Sequence, residues 1–370
     1  VTRAEALAEA SLDVRFVTVG PVLPTSLPTR SRPLPRGPLG AILAFVRFFR
    51  DIRAFKPDLL HLHYAGGRLG TLAHLAAVHP FVVSVIGGDV LPEQHEAGLP
   101  DRERRATASI LADADLILAK SDRLRSKVLE LGPYASKTEV VRWGIDSGFF
   151  ARDEKGRARI RERFGRSPSD RIILSPRSLQ PLYNVDIIVS AFARVARQDD
   201  NVFLAITETG VSPAYLSSLR QLVSSLQLED RVQFWGRFDR RDLPALYSAA
   251  DVVVSVPRSD GLPQSLFEAM ACETPTLLGD LDAYRELAAP GEGVLYSAID
   301  RDRLAAALSS MTAMDLRALG ARGRRRVLEV ADIRAEAKRV AGRYADLAGR
   351  PRRRRRPSLS EALSLLPRSF

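Results

Sequence analysis

The chain is short of the residues that mark several protein classes. It has one cysteine, Cys272, so no intrachain disulfide is available, and the reducing cytoplasm is the compartment this points to. It has no run of eighteen apolar residues. The best stretch, from Leu72 to Val90, is interrupted by His74, His79 and Pro80, which argues against a membrane-spanning helix. The opening residues Val1-Thr2-Arg3-Ala4-Glu5 lack the apolar centre of a signal peptide. Histidine is scarce at five residues, and the pair His61-x-His63 has no further His or Cys nearby in sequence to complete a metal site. Cys272 follows the apolar stretch Leu266-Phe267-Glu268-Ala269-Met270-Ala271 with no neighbouring His, so it reads as a core residue rather than a nucleophile.

What remains is the composition of an ordinary globular protein, 45% hydrophobic and 27% charged. At 370 residues it is long enough for two cores. The net charge of +11 is unevenly placed. Seven Arg and one Glu between Arg350 and Phe370 account for +6, leaving +5 for the preceding 349 residues. The run Arg352–Arg356 reads as a self-repelling, disordered basic tail, able to touch an anionic membrane surface peripherally. Nothing in the folded portion suggests specific nucleic-acid binding.

Short apolar segments alternate with helix-length amphipathic ones, the pattern of an α/β protein with parallel sheets. Strands are expected at Val14–Val19, Leu59–His63, Phe81–Ile86, Leu116–Ala119 and Thr138–Val141. A second series follows at Ile172–Leu174, Val202–Ile206, Val232–Trp235, Val252–Val256, Thr276–Leu278 and Val294–Tyr296. Six prolines between Pro21 and Pro38 read as an extended surface loop. The charged, strand-poor stretch from Gly144 to Gly165 reads as a domain boundary. The expected organisation is therefore residues 1–150, residues 151–330, a helix at 331–349 returning to the first domain, and the tail 350–370. The first domain opens on a helical pattern, Ala4–Ala10, where a doubly wound domain opens on a strand. A first strand and loop on the order of 15–30 residues is accordingly expected to be missing.

The densest chemical signal is Asp251-Val-Val-Val-Ser-Val-Pro-Arg258-Ser-Asp260-Gly261-Leu262-Pro263-Gln264-Ser265-Leu-Phe-Glu268. It reads as a buried strand, a Gly/Pro turn and a helix. Backbone N–H groups at Gly261, Leu262 and Gln264 would lie at the positive end of the helix dipole, a place suited to anionic or hydroxyl-rich ligands.

This stretch resembles the donor-site signature of the retaining GT-B glycosyltransferases of family four, the group 1 transferases. In that family an acid, seven intervening residues and a Glu frame a Gly-Leu-Pro-type loop followed by Glu-Ala-Met-Ala-Cys. Other segments resemble the family in order and spacing: Lys56-Pro57-Asp58 through His63-Tyr64, Gly87-Gly88-Asp89, Ala112-Asp113-Ala114-Asp115 through Ser121, Trp143-Gly144-Ile145-Asp146, Arg231 to Gly236, and Leu246 to Asp251. The similarity spans roughly residues 4–348.

The resemblance implies two Rossmann-like doubly wound domains facing a central cleft. It also implies transfer of a hexosyl-type group from a nucleotide-diphosphate sugar to a hydroxyl acceptor, glycan or lipid-linked, with retention. Asp260, Glu268 and Arg177 would be the central residues: Glu268 on the donor ribose, Asp260 on the sugar hydroxyls, Arg177 on the diphosphate. Gly261, Leu262, Pro263, Gln264, Ser265, Tyr183, Gly236 and Arg258 would complete the donor site. His63, Gly87, Gly88 and Asp89 would lie on the acceptor side, with Gly87-Gly88-Asp89 alternatively a plain tight turn. No cofactor and no metal are implied, and no Asp-x-Asp stands in a donor-site context that would suggest one.

The sequence departs from the family in four places. Asp260 stands where Glu is usual, Tyr183 where a Lys is usual, and Ile86 where a His is usual. The glycine-rich turn after Val202–Ile206 is reduced to Thr207-Glu208-Thr209-Gly210. A catalytically degenerate sugar-nucleotide-binding or partner protein on the same fold is the alternative these departures leave open.

Overall fold

The computed structural model describes residues 3–19, 27–32, 38–95 and 98–349. The basic tail, and most of the proline-rich stretch, lie outside them. The chain divides into two compact units, one comprising residues 1–143 and 333–370, the other residues 144–332.

The first unit runs through α1 (Arg3–Glu9), β1 (Phe16–Val19), β2 (Thr29–Arg32), α2 (Pro38–Phe55), β3 (Leu60–His63), α3 (Gly67–Leu75), β4 (Phe81–Val85), α4 (Asp101–Asp113), β5 (Leu116–Ala119), α5 (Asp122–Glu130) and β6 (Thr138–Val140). Strands β3 to β6 form a four-stranded sheet in sequence order, and every pairing in it is parallel. β4 and β5 are buried along their whole length, which suits apolar runs covered on both faces. Ser121 starts α5 by accepting a hydrogen bond from the N–H of Leu124 at 3.2 Å. β1 and β2 pair separately and in parallel. β2 is a strand where the proline density suggested only loop; Thr29-Arg-Ser-Arg32 is a proline-free interval long enough to pair.

The second unit contains α6 (Glu154–Arg163), β7 (Arg171–Ser175), α7 (Val185–Ala196), β8 (Val202–Thr207), α8 (Pro213–Ser225), β9 (Val232–Gly236), α9 (Leu243–Ala249), β10 (Val252–Ser255), α10 (Gln264–Ala271), β11 (Thr276–Gly279), α11 (Asp282–Arg285), β12 (Val294–Ser297), α12 (Arg301–Thr312) and α13 (Leu316–Val330). Its six strands pair in the order β12-β11-β10-β7-β8-β9, all parallel. The order runs outward from β7 through β8 and β9, then reverses to β10 on the other side of β7. This is the doubly wound arrangement, and β7/β10 is its switch point. Two apolar clusters cover the two faces of this sheet, one around Phe267, Met270 and Tyr284, the other around Phe192, Leu204 and Leu277.

α14 (Ile333–Ala348) belongs to the first unit. Its Ile333, Ala337, Val340, Tyr344 and Leu347 join Ala6, Leu7 and Trp143 in one cluster on the sheet face formed by Val82, Leu116 and Leu118. The unit boundary falls between Trp143 and Gly144, because Trp143 is core in the first unit while Ile145 and Phe150 are core in the second. Ile145 and Asp332 form a bridge where the chain enters and leaves the second unit.

The stretch read as boundary, Gly144–Gly165, contains α6, capped by Asp153 accepting from the N–H of Gly156 at 2.8 Å. Its face toward the unit is only weakly apolar. Charge holds it instead: Arg157 and Arg161 reach the two oxygens of Asp251 at 2.8 and 2.7 Å, and the N–H of Ile172 donates to the same carboxylate at 2.7 Å. Hydrophobic periodicity does not register such a helix.

Candidate functional site

The C-terminal ends of β7 and β10 carry the cluster. Arg177 lies two residues past β7, and Asp260 in the loop between β10 and α10. Asn184 ties these two loops together, its side-chain amide donating to the carbonyl of Val256 at 2.8 Å. Asn184 adopts a left-handed conformation (φ 51°) just before α7, which Asn tolerates better than most residues.

Arg177 and Asp260 are each 8% exposed and paired to one another, Nη2 to Oδ2, at 2.7 Å. The Tyr284 hydroxyl donates to the same Oδ2 at 2.9 Å and lies 3.4 Å from Arg177 Nη1, which also points at Ser255 Oγ at 3.3 Å. The Arg177 guanidinium sits 4.6 Å from the centre of the Tyr183 ring. Burial works against the Arg177 charge, but the Asp260 carboxylate more than restores it and holds the guanidinium protonated above its usual range. Burial, together with the charge of Asp260, pushes the Tyr284 phenol well above its usual range, so it remains an O–H donor. Glu268, 8% exposed on α10, accepts from the hydroxyl of Tyr247 at 2.8 Å. Burial and the Glu268 charge likewise keep Tyr247 protonated.

The loop leading into α10 differs in one respect from the reading above. The N–H of Gly261 is not open to a ligand; it donates to Oδ1 of Asp260 at 2.7 Å. Leu262 takes a positive φ of 79° with its side chain wholly buried, a strained conformation held by core packing. Pro263 stands immediately before α10, and the Gln264 amide donates to the carbonyl of Gly144. Ser265 is half-buried, and Arg258 is exposed with its N–H on the carbonyl of Leu182 at 3.0 Å. Gly236 ends β9 at φ 72°, its carbonyl accepting from the N–H of Glu208 at 2.8 Å. Cys272 is fully buried at the end of α10.

Two residues of this cluster escaped the sequence reading. Tyr284 and Tyr247 lie 24 and 21 positions from the carboxylates they contact, so no local motif joins them. The unit also holds an Asp-x-Asp among these loops, Asp280-x-Asp282. Asp280 is half-exposed and paired with Arg285 at 2.7 Å, and among the described residues no group of three or more His, Cys, Asp or Glu could hold a metal ion.

In the first unit, Asp89 is 1% exposed and its carboxylate accepts from the N–H groups of Ala65 at 2.9 Å, Gly87 at 2.9 Å and Ile86 at 3.2 Å. Both oxygens are committed to backbone, so Asp89 knits the turn after β4. The Gly88 carbonyl is 2.6 Å from His95 Nε2. His63 ends β3, half-buried.

Two α/β units with parallel sheets, one of them carrying a buried arginine–carboxylate cluster at its switch point, define the GT-B class of nucleotide-sugar glycosyltransferases. Comparison with known proteins agrees. Residues 156–326 match the family Glycosyl transferases group 1, and residues 3–144 match the Glycosyl transferase 4-like domain. The chain is 30% identical over 287 residues to the GDP-mannose-dependent alpha-(1-6)-phosphatidylinositol monomannoside mannosyltransferase of Mycolicibacterium smegmatis, covering 74% of this chain and 72% of that one. It is 28% identical over 292 residues to the D-inositol 3-phosphate glycosyltransferase of Kineococcus radiotolerans, covering 73% and 67%. In fold it is similar to Anabaena Alr3699/HepE crystallised with UDP and glucose, with a TM-score of 0.73, 19% identity and 87% of each chain covered. The chain belongs to the group 1 glycosyl transferases. It is a glycosyltransferase that uses a nucleotide sugar.

Proposed function

We propose that the protein transfers a hexosyl group from a nucleotide-diphosphate sugar to a hydroxyl of a phosphoinositol-type or other lipid-linked acceptor, with retention of configuration and without a metal ion. The observation that carries the donor half is the buried Arg177–Asp260–Tyr284 cluster at the ends of β7 and β10. Charge develops on the diphosphate as the sugar leaves, and a fixed guanidinium in a water-poor site stabilises it without reorganisation. Asp260 would accept from sugar hydroxyls, and Glu268, steadied by Tyr247, from the ribose. Because Arg177 is already paired with Asp260, the incoming diphosphate must share that guanidinium, and Tyr284 keeps a donor on Asp260 while it does. Tyr183 stacks on Arg177 in place of a second cation.

Support for the acceptor half comes from the two relatives named for inositol-containing substrates. A further part of the proposal is peripheral attachment at the inner face of an anionic membrane through Arg352–Arg356. No helix among the described residues is long and apolar enough to cross a membrane.

The test has two stages. Thermal shift against UDP, GDP, ADP and their sugars finds the donor, since a ligand bound only by the native state raises its midpoint. Transfer from that donor is then measured with Glu268→Ala beside the unmodified protein. A folded Glu268→Ala protein that transfers at the unmodified rate overturns the site assignment. Nucleotide binding with no transfer to any phosphoinositol or lipid acceptor leaves the degenerate binding protein as the correct reading.

A further inference from the structure

The donor cluster is closed on itself. Arg177 Nη2 lies 2.7 Å from Oδ2 of Asp260, the Tyr284 hydroxyl donates to the same oxygen at 2.9 Å, and Arg177 Nη1 donates to that hydroxyl at 3.4 Å. Guanidinium, carboxylate and phenol complete a ring of hydrogen bonds, each member of it buried. The other carboxylate oxygen, Oδ1, accepts from the N–H of Gly261 at 2.7 Å. A carboxylate offers about four acceptor positions. Three of those on Asp260 are filled from inside the protein.

A guanidinium, a phenol O–H and a backbone N–H ahead of a helix are the kinds of donor that hold phosphate. Here they hold a side chain. The carboxylate stands where an anionic ligand would, on the cation that the proposed reaction needs for the diphosphate. Exchange is a local matter, because Asp260 and Gly261 are neighbours. Turning one side chain aside releases an edge of Arg177 and the Gly261 N–H together. Tyr284 comes from a separate element, α11, and can keep its bond to Asp260 while this happens.

We propose that Asp260 is a built-in occupant of the diphosphate site, displaced when the donor binds, and that its return to Arg177 discharges the spent nucleoside diphosphate. The proposal rests on the reading of Arg177 given above. Any diphosphate must open the ring and leave the carboxylate short of its guanidinium. An intact donor makes good that loss, since its sugar hydroxyls donate to the displaced carboxylate. A nucleoside diphosphate has lost the sugar and sets like charge beside Asp260. A buried carboxylate short of donors is costly, so the ring closes again and the product leaves. Asp260 thereby separates donor from product, in addition to orienting the sugar.

The experiment is a calorimetric titration of the full chain with UDP, GDP and ADP, for the unmodified protein and for Asp260→Asn. Asparagine keeps the shape of the side chain and an acceptor oxygen but not the charge. Asp260→Asn should bind the preferred nucleoside diphosphate about ten- to a hundredfold more tightly, the range for one charge-assisted hydrogen bond no longer competed for. The same change leaves Arg177 without its counter-ion, so the midpoint should fall without ligand and recover with nucleotide. A second variant, Asp260→Ala, is titrated with and without added formate, a free carboxylate able to take the vacated place. Formate should raise its midpoint and weaken its nucleotide binding, and should do neither to the unmodified protein. Nucleotide binding no tighter in Asp260→Asn than in the unmodified protein overturns the proposal and leaves the donor site standing, with Asp260 only aiming Arg177. An Asp260→Ala protein indifferent to formate overturns it as well. No nucleotide bound by any of the three proteins overturns both this proposal and the donor reading. Tighter nucleotide binding by Asp260→Asn without sugar transfer by the unmodified protein counts against the proposed reaction and not against this occupancy.

Discussion

Arg177 and Arg3 each lay a guanidinium against an aromatic ring, Tyr183 in one unit and Trp143 in the other, and they are supplied with counter-charge in opposite ways. Arg177 carries its own anion, Asp260, so the donor cluster is neutral and ordered before any ligand arrives. The same unit repeats the device at the start of β10, where Asp251 serves Arg157 and Arg161 together. Arg3 has a ring but, among the described residues, no acid. A paired cation is preorganised and must exchange partners when it acts, whereas one with no acid beside it among the described residues has no partner to exchange. Substitutions should therefore have unlike effects in the two units.

The largest effect is expected from Asp251→Ala. Leaving Arg161, whose side chain is 3% exposed, without its carboxylate should cost about 3–5 kcal/mol in denaturant unfolding. Next comes Arg177→Ala, which should lower kcat by about 10²–10³-fold in a transfer assay, the scale for losing one preorganised charge-stabilising donor. Tyr284→Phe removes a single hydroxyl from Asp260 and should cost about 1 kcal/mol of stability. It should also raise KM for the donor, and if Tyr284 positions the carboxylate, the longer arm of Asp260→Glu should recover part of that loss in the double variant.

Arg3→Leu should change unfolding stability by no more than about 0.5 kcal/mol, because Arg3 is only half-buried and has no ion pair among the described residues. A loss there as large as that of Asp251→Ala would erase the contrast between the units. A pH slope is a separate test. Burial, and after it the Arg3 charge, hold His63 down to about 3, below the usual imidazole value of about 6.5, so the unfolded chain takes up a proton that the native state refuses. Stability from this source is complete above about pH 6.5 and is lost as pH falls toward 3. His63→Asn should flatten the acid limb of a midpoint-against-pH curve, with the slope due to His61 remaining.

The alternation of apolar and amphipathic segments made most of the fold legible. β5 lies where the sequence put it, Leu116–Ala119, and β4, β9 and β10 lie within one residue of their expected bounds. α6 was not legible, because its attachment is electrostatic and its partner Asp251 lies about ninety residues away. The donor loop was legible as Asp260 and Glu268, since the Gly-Leu-Pro turn and the strand–helix context are local. The two tyrosines that hold those acids were not, and neither was the capture of the Gly261 N–H by Asp260. Which of two acceptors a donor group chooses is decided by packing, and it leaves no mark on spacing. Arg3 escaped notice for a similar reason: an arginine near the start of a helix is unremarkable until the ring under it is seen.

The return of α14 to the first unit has a consequence for the making of the protein. Trp143, Ala6 and Leu7 are covered by a helix that is synthesised after all of residues 144–332. On the ribosome, where domains ordinarily mature in order from the N-terminus, the second unit can reach its final state while the first still exposes a sheet face to the solvent. The unit begun first is completed last, and its exposed face during that interval is where a chaperone would be expected to work.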